Sequence, residues 1–134
     1  MTERHAVGVL DTCVYLRLVA LDPQKLPVVS EITTITMAEL HQGVAVAKDA
    51  ATRAARTEDV GAALVDYRPL PFDTDASTRF GSLAALVVAA KRDPRPRKTD
   101  LMIAAIASSR GLPLYTSNVR DFRGLESLVE IVEV

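Results

Sequence analysis

Four carboxylates, Asp11, Glu39, Asp100 and Asp121, stand far apart in the chain, yet each follows or opens an apolar run. Gathered into one pocket they would repel one another, at a cost on the order of 4 kcal/mol per pair at about 4 Å and an effective dielectric near 20. A hard divalent cation offsets that repulsion. Mg²⁺ in particular prefers oxygen ligands in octahedral geometry and keeps several waters for substrate phosphates. The chemistry open to such a cluster is activation of water for in-line attack on a phosphodiester. Competing chemistries lack their residues. The two histidines, His5 and His41, and the lone Cys13 cannot make a zinc set. His41 lies two positions after Glu39, about 200° around a helix, which disfavours a Glu/His pair and leaves it a surface or partner-facing residue. Cys13 has no histidine nearby in sequence and reads as a small buried side chain rather than a nucleophile. The six glycines form neither a dinucleotide fingerprint nor a phosphate-cradling Gly-Lys-Ser/Thr loop.

The elements that must position these acids alternate in strand and helix character, the sequence form of βαβ units and a mainly parallel sheet. Val7 to Leu10 predicts a buried strand, followed by an apolar segment from Thr12 to Leu21 that Asp22-Pro23 ends. Ile32 to Ile35 predicts a second strand. Thr36 with Glu39 three positions later has the form of a capping box opening a helix to about Ala47. Ala50 to Val65 continues in helical style. Arg68 to Phe72 carries Pro69 and Pro71, which cannot donate to a ladder, so it belongs at the sheet margin. From Asp75 onward, Ala76, Phe80, Leu83, Ala84 and Val87 line one helical face that should pack on the sheet. Arg92 to Lys98 breaks that helix with two prolines and reads as a basic loop. Thr99 is placed to cap an apolar helix from Asp100 to Arg110, ended by Gly111. Pro113 to Thr116 and Leu128 to Val132 supply the last strands. In a parallel sheet ligands bind outside the carboxyl ends of the strands. Asp11 follows the first strand, Glu39 the second by a helical turn, and Asn118 and Asp121 the one ending near Thr116. Asp100 opens its helix beside them.

A chain of 134 residues with 49% hydrophobic content supports one sizeable core, hence a single domain with no repeat or linker. The formal net charge of -1 excludes a protein that binds nucleic acid over its whole surface, leaving a local basic patch as the alternative. One cysteine, an N-terminus without an apolar leader and a longest apolar run of Leu83 to Ala90 together point to a cytosolic protein without a membrane span.

Each acid also has a plainer role: Glu39 as capping partner of Thr36, Asp100 as a favourable charge at a helix N-terminus, Asp11 as an N-cap, Asp121 as a turn residue. Their joint placement at one edge favours the site. Thr12 and Thr116 are placed to hydrogen-bond the acids, though caps and turns use threonine for the same ends. Arg92, Arg95, Arg97 and Lys98, just before Asp100, either lead the phosphates of a nucleic acid toward the acids or form a solvated helix-breaking loop; Arg120 and Arg123 are secondary candidates.

The chain resembles the PIN domains, and within them the VapC-type toxins of prokaryotic toxin–antitoxin pairs. The motifs that carry the resemblance are Val9-Leu10-Asp11-Thr12-Cys13-Val14, Thr36-Met37-Ala38-Glu39-Leu40, Thr99-Asp100-Leu101-Met102-Ile103-Ala104-Ala105 and Thr116-Ser117-Asn118-Val119-Arg120-Asp121-Phe122. They occur in order across nearly the whole chain. The resemblance implies a three-layer α/β/α sandwich around a mainly parallel sheet of four to five strands. It also implies Mg²⁺- or Mn²⁺-dependent endoribonuclease activity, a homodimer and a cognate VapB-like antitoxin. Asp11, Glu39, Asp100 and Asp121 match the family's acidic positions. The expected mechanism holds metal mainly on Asp11 and Asp100, with Asp121 assisting, while Glu39 orients or deprotonates the water. Many PIN nucleases carry aspartate where this chain has Asn118, so either Asn118 or Asp121 completes the set. Two rivals remain from other classes. A phosphorylated receiver domain needs an acidic pair after the first strand and a lysine near the last, which this chain lacks. A catalytically silent module would bind a helical partner through apolar faces near Val44 and Leu64.

Overall fold

The computed structural model describes residues 4–134. Four strands form one sheet in the order β2-β1-β3-β4, and every adjacent pair is parallel. They are β1 (Val7–Leu10), β2 (Val29–Glu31), β3 (Leu114–Thr116) and β4 (Ile131–Glu133). The helices are α1 (Thr12–Leu16), α2 (Thr34–Ala45), α3 (Ala50–Asp66), α4 (Thr74–Ala89) and α5 (Lys98–Ser109).

Alternation along the strands divides the core between two faces. Val9 and Leu114 point into a cluster with Leu83 and Val87 of α4 and Leu101 and Ile103 of α5. Their neighbours Leu10 and Tyr115 point the other way, among Val14, Met37, Leu40 and Val60 of α1, α2 and α3. Each face of the sheet is thus covered by helices, which gives the three layers expected. The apolar stripe of α4 is as predicted, with Ala76, Leu83 and Val87 buried. Its most extensive neighbour, however, is α5 rather than a strand.

Several boundaries differ from the sequence-based expectations. The second strand is Val29–Glu31, not Ile32 to Ile35, because the chain turns helical already at Thr34. Thr33, not Thr36, caps α2: its hydroxyl accepts from the Thr36 N–H at 3.2 Å. The capping box of Thr36 and Glu39 therefore does not form, and Glu39 sits mid-helix. The segment expected as one run from Thr12 to Leu21 is the short α1 followed by a 3₁₀ turn at Leu18–Ala20. Asp73, rather than Asp75, sets the start of α4 by accepting from the Ala76 N–H at 2.9 Å. The basic stretch holds a 3₁₀ turn, Arg95–Arg97, leading directly into α5 at Lys98. Thr99 is inside that helix, whose N-terminus has no side-chain cap. The last strand begins at Ile131, not Leu128. The proline-bearing segment does lie at the margin, making one isolated parallel bridge between Leu70 and Thr33. Gly111 has φ +65°, the left-handed conformation expected where α5 ends.

Candidate active site

The chain leaves β1 toward β2 on one side and returns as β3 on the other, so the crevice outside the carboxyl ends of β1 and β3 lies at a topological switch point. Asp11 directly follows β1, and its backbone N–H bonds the Tyr115 carbonyl of β3 at 2.9 Å. The residue is only 4% exposed. Burying a charge in this way demands hydrogen bonds. Oδ1 accepts the Thr12 N–H at 2.8 Å, and Oδ2 accepts the hydroxyl of the fully buried Thr116, also at 2.8 Å. The Cys13 thiol lies 3.5 Å from the same Oδ2. Burial pushes that thiol above its ordinary pKa, and the neighbouring Asp11 charge adds to the effect. Cys13 is accordingly a protonated donor to the acid rather than a nucleophile.

Glu39 enters from α2. The Thr12 hydroxyl donates to its Oε1 at 2.7 Å and lies 2.8 Å from the hydroxyl of buried Thr36. Since a hydroxyl has one proton, Thr36 must be the donor to Thr12 when Thr12 donates to Glu39. A directed relay of Thr36, Thr12 and Glu39 follows, which fixes the glutamate without a direct bond to Asp11. Thr12 thereby serves two acids, one through its backbone and one through its side chain.

Asp100 lies in the first turn of α5. Burial, then the charges of Asp11, Glu39 and Asp121, push its carboxyl up to about 6, opposed by Arg97. Asp100 therefore stands within electrostatic reach of the other three acids. Asp121, in a 3₁₀ turn at Val119–Phe122, forms an ion pair with Arg97. Asn118 is exposed; its N–H donates to the Thr116 hydroxyl at 3.0 Å, and its side-chain amide lies 3.7 Å from Cys13 Sγ.

The donor set is all oxygen, as a hard divalent cation requires. Among the described residues, though, no group of three or more His, Cys, Asp or Glu side chains is placed to hold a metal ion. Arg97 holds Asp121 from the side.

No family model matches the sequence. Ribonuclease VapC5 of Mycobacterium tuberculosis is 36% identical to the chain over the full length of both. The chain belongs to the VapC family of PIN-domain ribonucleases. A crystal structure of VapBC-5, a member of the VapBC family of toxin–antitoxin systems from the same organism, superposes at a TM-score of 0.83. That match covers 96% of this chain and 99% of the other. The DNA-bound VapBC of Salmonella typhimurium, at 24% identity and a TM-score of 0.75, shares the fold over 96% of this chain and 98% of its own.

Against this VapC background the basic candidates divide by their partners. Arg92 donates to the Arg123 carbonyl, Arg95 is doubly bonded to Asp93, and Arg97 is taken by Asp121. Lys98, Arg120 and Arg123 are exposed. Sequence reasoning misses three residues of this VapC site. Thr36, which reads as a cap, proves to be a buried relay donor. Cys13, which reads as a core filler, touches Asp11. Ser117, which accepts a 2.9 Å bond from Arg17, carries no signal of its own beyond its place inside the Thr116-Ser117-Asn118 motif.

Proposed function

We propose that the chain is a Mg²⁺- or Mn²⁺-dependent endoribonuclease, active as a homodimer and held silent by a VapB-like antitoxin. The observation that carries the reading is the convergence of Asp11, Glu39 and Asp121 on Asp100 from separate elements: burial first, and then those three charges, push the Asp100 carboxyl up to about 6. A structural acid at a helix N-terminus would be expected to gain from the dipole, not to stand against three like charges.

Asp11 and Asp100 would hold the ion, with Asp121 joining directly or through water on release from Arg97. The bound ion would lower the pKa of a water and neutralise charge developing on the phosphodiester. Asp11 enters that role already oriented, since Thr12 and Thr116 fix both its oxygens. Glu39, with one oxygen tied to Thr12, keeps the other to orient the attacking water or take its proton. Asn118 completes the rim as a neutral donor, which leaves Asp121 as the fourth acid.

The antitoxin reading draws on a cleft of about 370 Å³ whose wall includes Leu16, Leu40 and Val46 together with Glu39. Leu16 of α1, Val19 in the turn after it, Val46 just past the end of α2, and Leu64 and Val65 of α3 are exposed apolar side chains. VapBC-5 of M. tuberculosis is a toxin–antitoxin complex of a relative with this fold. A helix docked in the cleft would cover Glu39 and occlude the acids.

The test is cleavage of total cellular RNA with Mg²⁺, with Mn²⁺ and with EDTA. Wild-type protein is expected to cut only with metal, and Asp11→Asn and Asp100→Asn are each expected to lose at least about 100-fold, the lower range for a group acting on the reacting atoms. Undiminished cleavage in both variants rejects the site. Metal-independent cleavage rejects the cofactor.

A further inference from the structure

The basic residues near the acids differ in how they are tied, and one of them lies outside the stretch the sequence singles out. Arg17 follows α1 and is exposed, yet its guanidinium is not loose: it donates to the Ser117 hydroxyl at 2.9 Å across a hundred residues of chain. Ser117 in turn lies between Thr116, which bonds Asp11, and Asn118. Arg17 is thus fastened to the loop that forms one wall of the acidic crevice.

The partner is a neutral hydroxyl, and that decides the charge balance. Arg95 and Arg97 spend theirs on Asp93 and Asp121, while Arg92 donates to a backbone carbonyl. Arg17 has no carboxylate within ion-pair distance among the described residues, so its full charge and its remaining N–H donors face outward. A guanidinium presents five donors in a rigid fork that matches phosphate oxygens bidentately. Holding one of them beforehand reduces the ordering cost of binding. An anion beside the acids also needs such a charge, because the net field of four carboxylates repels a polyphosphate strand.

We propose that Arg17, held by Ser117, is a substrate-positioning residue that grips a phosphate of the RNA strand next to the one being cut. This rests on the ribonuclease reading of the site. The favoured register places the scissile phosphate over Asp11 and Asp100 and its neighbour on the wall formed by α1 and the loop after β3. Ser117→Ala would then release the guanidinium without removing the charge, and so weaken the grip less than Arg17→Ala.

The experiment measures binding of a fluorescein-labelled oligoribonucleotide of mixed sequence by anisotropy in EDTA, over a salt series, with cleavage of total cellular RNA followed separately in Mg²⁺. Arg17→Ala is expected to weaken binding about tenfold, the loss of one charge-assisted hydrogen bond, and to lower the slope of log affinity against log salt by about 0.7, the share of one phosphate contact on a single strand. The cleavage defect should fall in KM rather than kcat, and Arg17→Lys should restore the salt slope but only part of the affinity. Circular dichroism melts of each variant separate these effects from misfolding. An Arg17→Ala protein that binds RNA with unchanged affinity and slope overturns the inference. So does one that loses affinity only for a VapB-like antitoxin. Wild-type protein that neither binds nor cuts RNA overturns the ribonuclease reading itself, whereas wild-type cleavage with an indifferent Arg17→Ala overturns the grip alone.

Discussion

The two sides of the acidic crevice solve the burial of negative charge differently. On the strand side, Asp11 is nearly inaccessible, but both its oxygens receive protein donors. On the helix side, Asp100 is less buried, and desolvation together with the neighbouring acids pushes its carboxyl up to about 6. A hydrogen-bonded carboxylate is stabilised in its charged form, whereas desolvation with like charges nearby favours the proton. The same residue type is therefore given two characters by its surroundings. Asp11 is the acid held in place by its hydrogen bonds, around which the site is built, and Asp100 is the acid poised to gain most from an arriving cation.

The strand side should be the more fragile. Thr116→Val keeps the shape of the side chain but removes the hydroxyl that donates to Asp11 and accepts from the Asn118 N–H. It leaves a buried carboxylate oxygen and an amide short of a partner, at a cost of about 1–3 kcal/mol. Metal-dependent cleavage should fall about 10- to 100-fold, the usual consequence of removing a group that orients a ligand. Urea unfolding and initial cleavage rates measure the two effects, and Thr116→Ser should restore most of both. A Thr116→Val protein of wild-type stability and rate would show that the bond to Asp11 is incidental.

The contrast also explains what the sequence could disclose. Asp11 and Thr116 are legible because they follow short apolar strands, and strand ends of a parallel sheet share one edge. The sandwich follows from the same alternation: Val9 and Leu10 must go to opposite faces whatever the helix boundaries. What is not legible depends on single hydrogen bonds. Thr33 and Thr36 are both good caps by type, and only the backbone conformation, extended at Thr33, decides between them. The bounds of the second strand move with that choice, since a helix beginning at Thr34 leaves no room for a strand from Ile32 to Ile35. Pairings across long separations are equally hidden. Nothing in the basic stretch from Arg92 to Lys98 tells which arginine will meet Asp121, and nothing near Arg17 announces Ser117.

On the helix side the same comparison predicts a gain rather than a loss. In the folded protein the Asp100 carboxyl sits near 6 against an ordinary value of 3.8, so between those values the folded chain keeps a proton the unfolded chain has released. Stability must fall as pH rises through this window, because the native state binds more protons than the unfolded one. Asp100→Asn removes the penalty. With EDTA present it should stabilise the protein by about 1–2 kcal/mol at pH 8, a value reduced from the full shift for partial solvent screening, and by almost nothing at pH 4. Urea midpoints at pH 4, 6 and 8 at constant ionic strength measure it. Equal stabilisation at all three would mean that the substituted amide helps by packing and that the other acids do not act on Asp100.

The smallest expected effect is at Arg97, which joins the two regimes. Its ion pair with Asp121 is partly exposed on both sides, 41% for the arginine and 26% for the acid, so removing it should change stability by no more than about 0.5 kcal/mol. Its charge nevertheless lowers the proton affinity of Asp100. Arg97→Ala should therefore shift the acid limb of the cleavage profile to higher pH while leaving the plateau above pH 8 within about twofold, since a partly exposed charge contributes little once Asp100 is ionised. Arg97→Lys, which keeps the charge, should hold the limb in place. A uniform loss at every pH in Arg97→Ala would instead assign Arg97 to phosphate contact, one of the two roles its sequence context allows. The helix side would then grip substrate as well as tune its acid, and the division between a hydrogen-bonded acid and a tunable one would no longer describe the two walls.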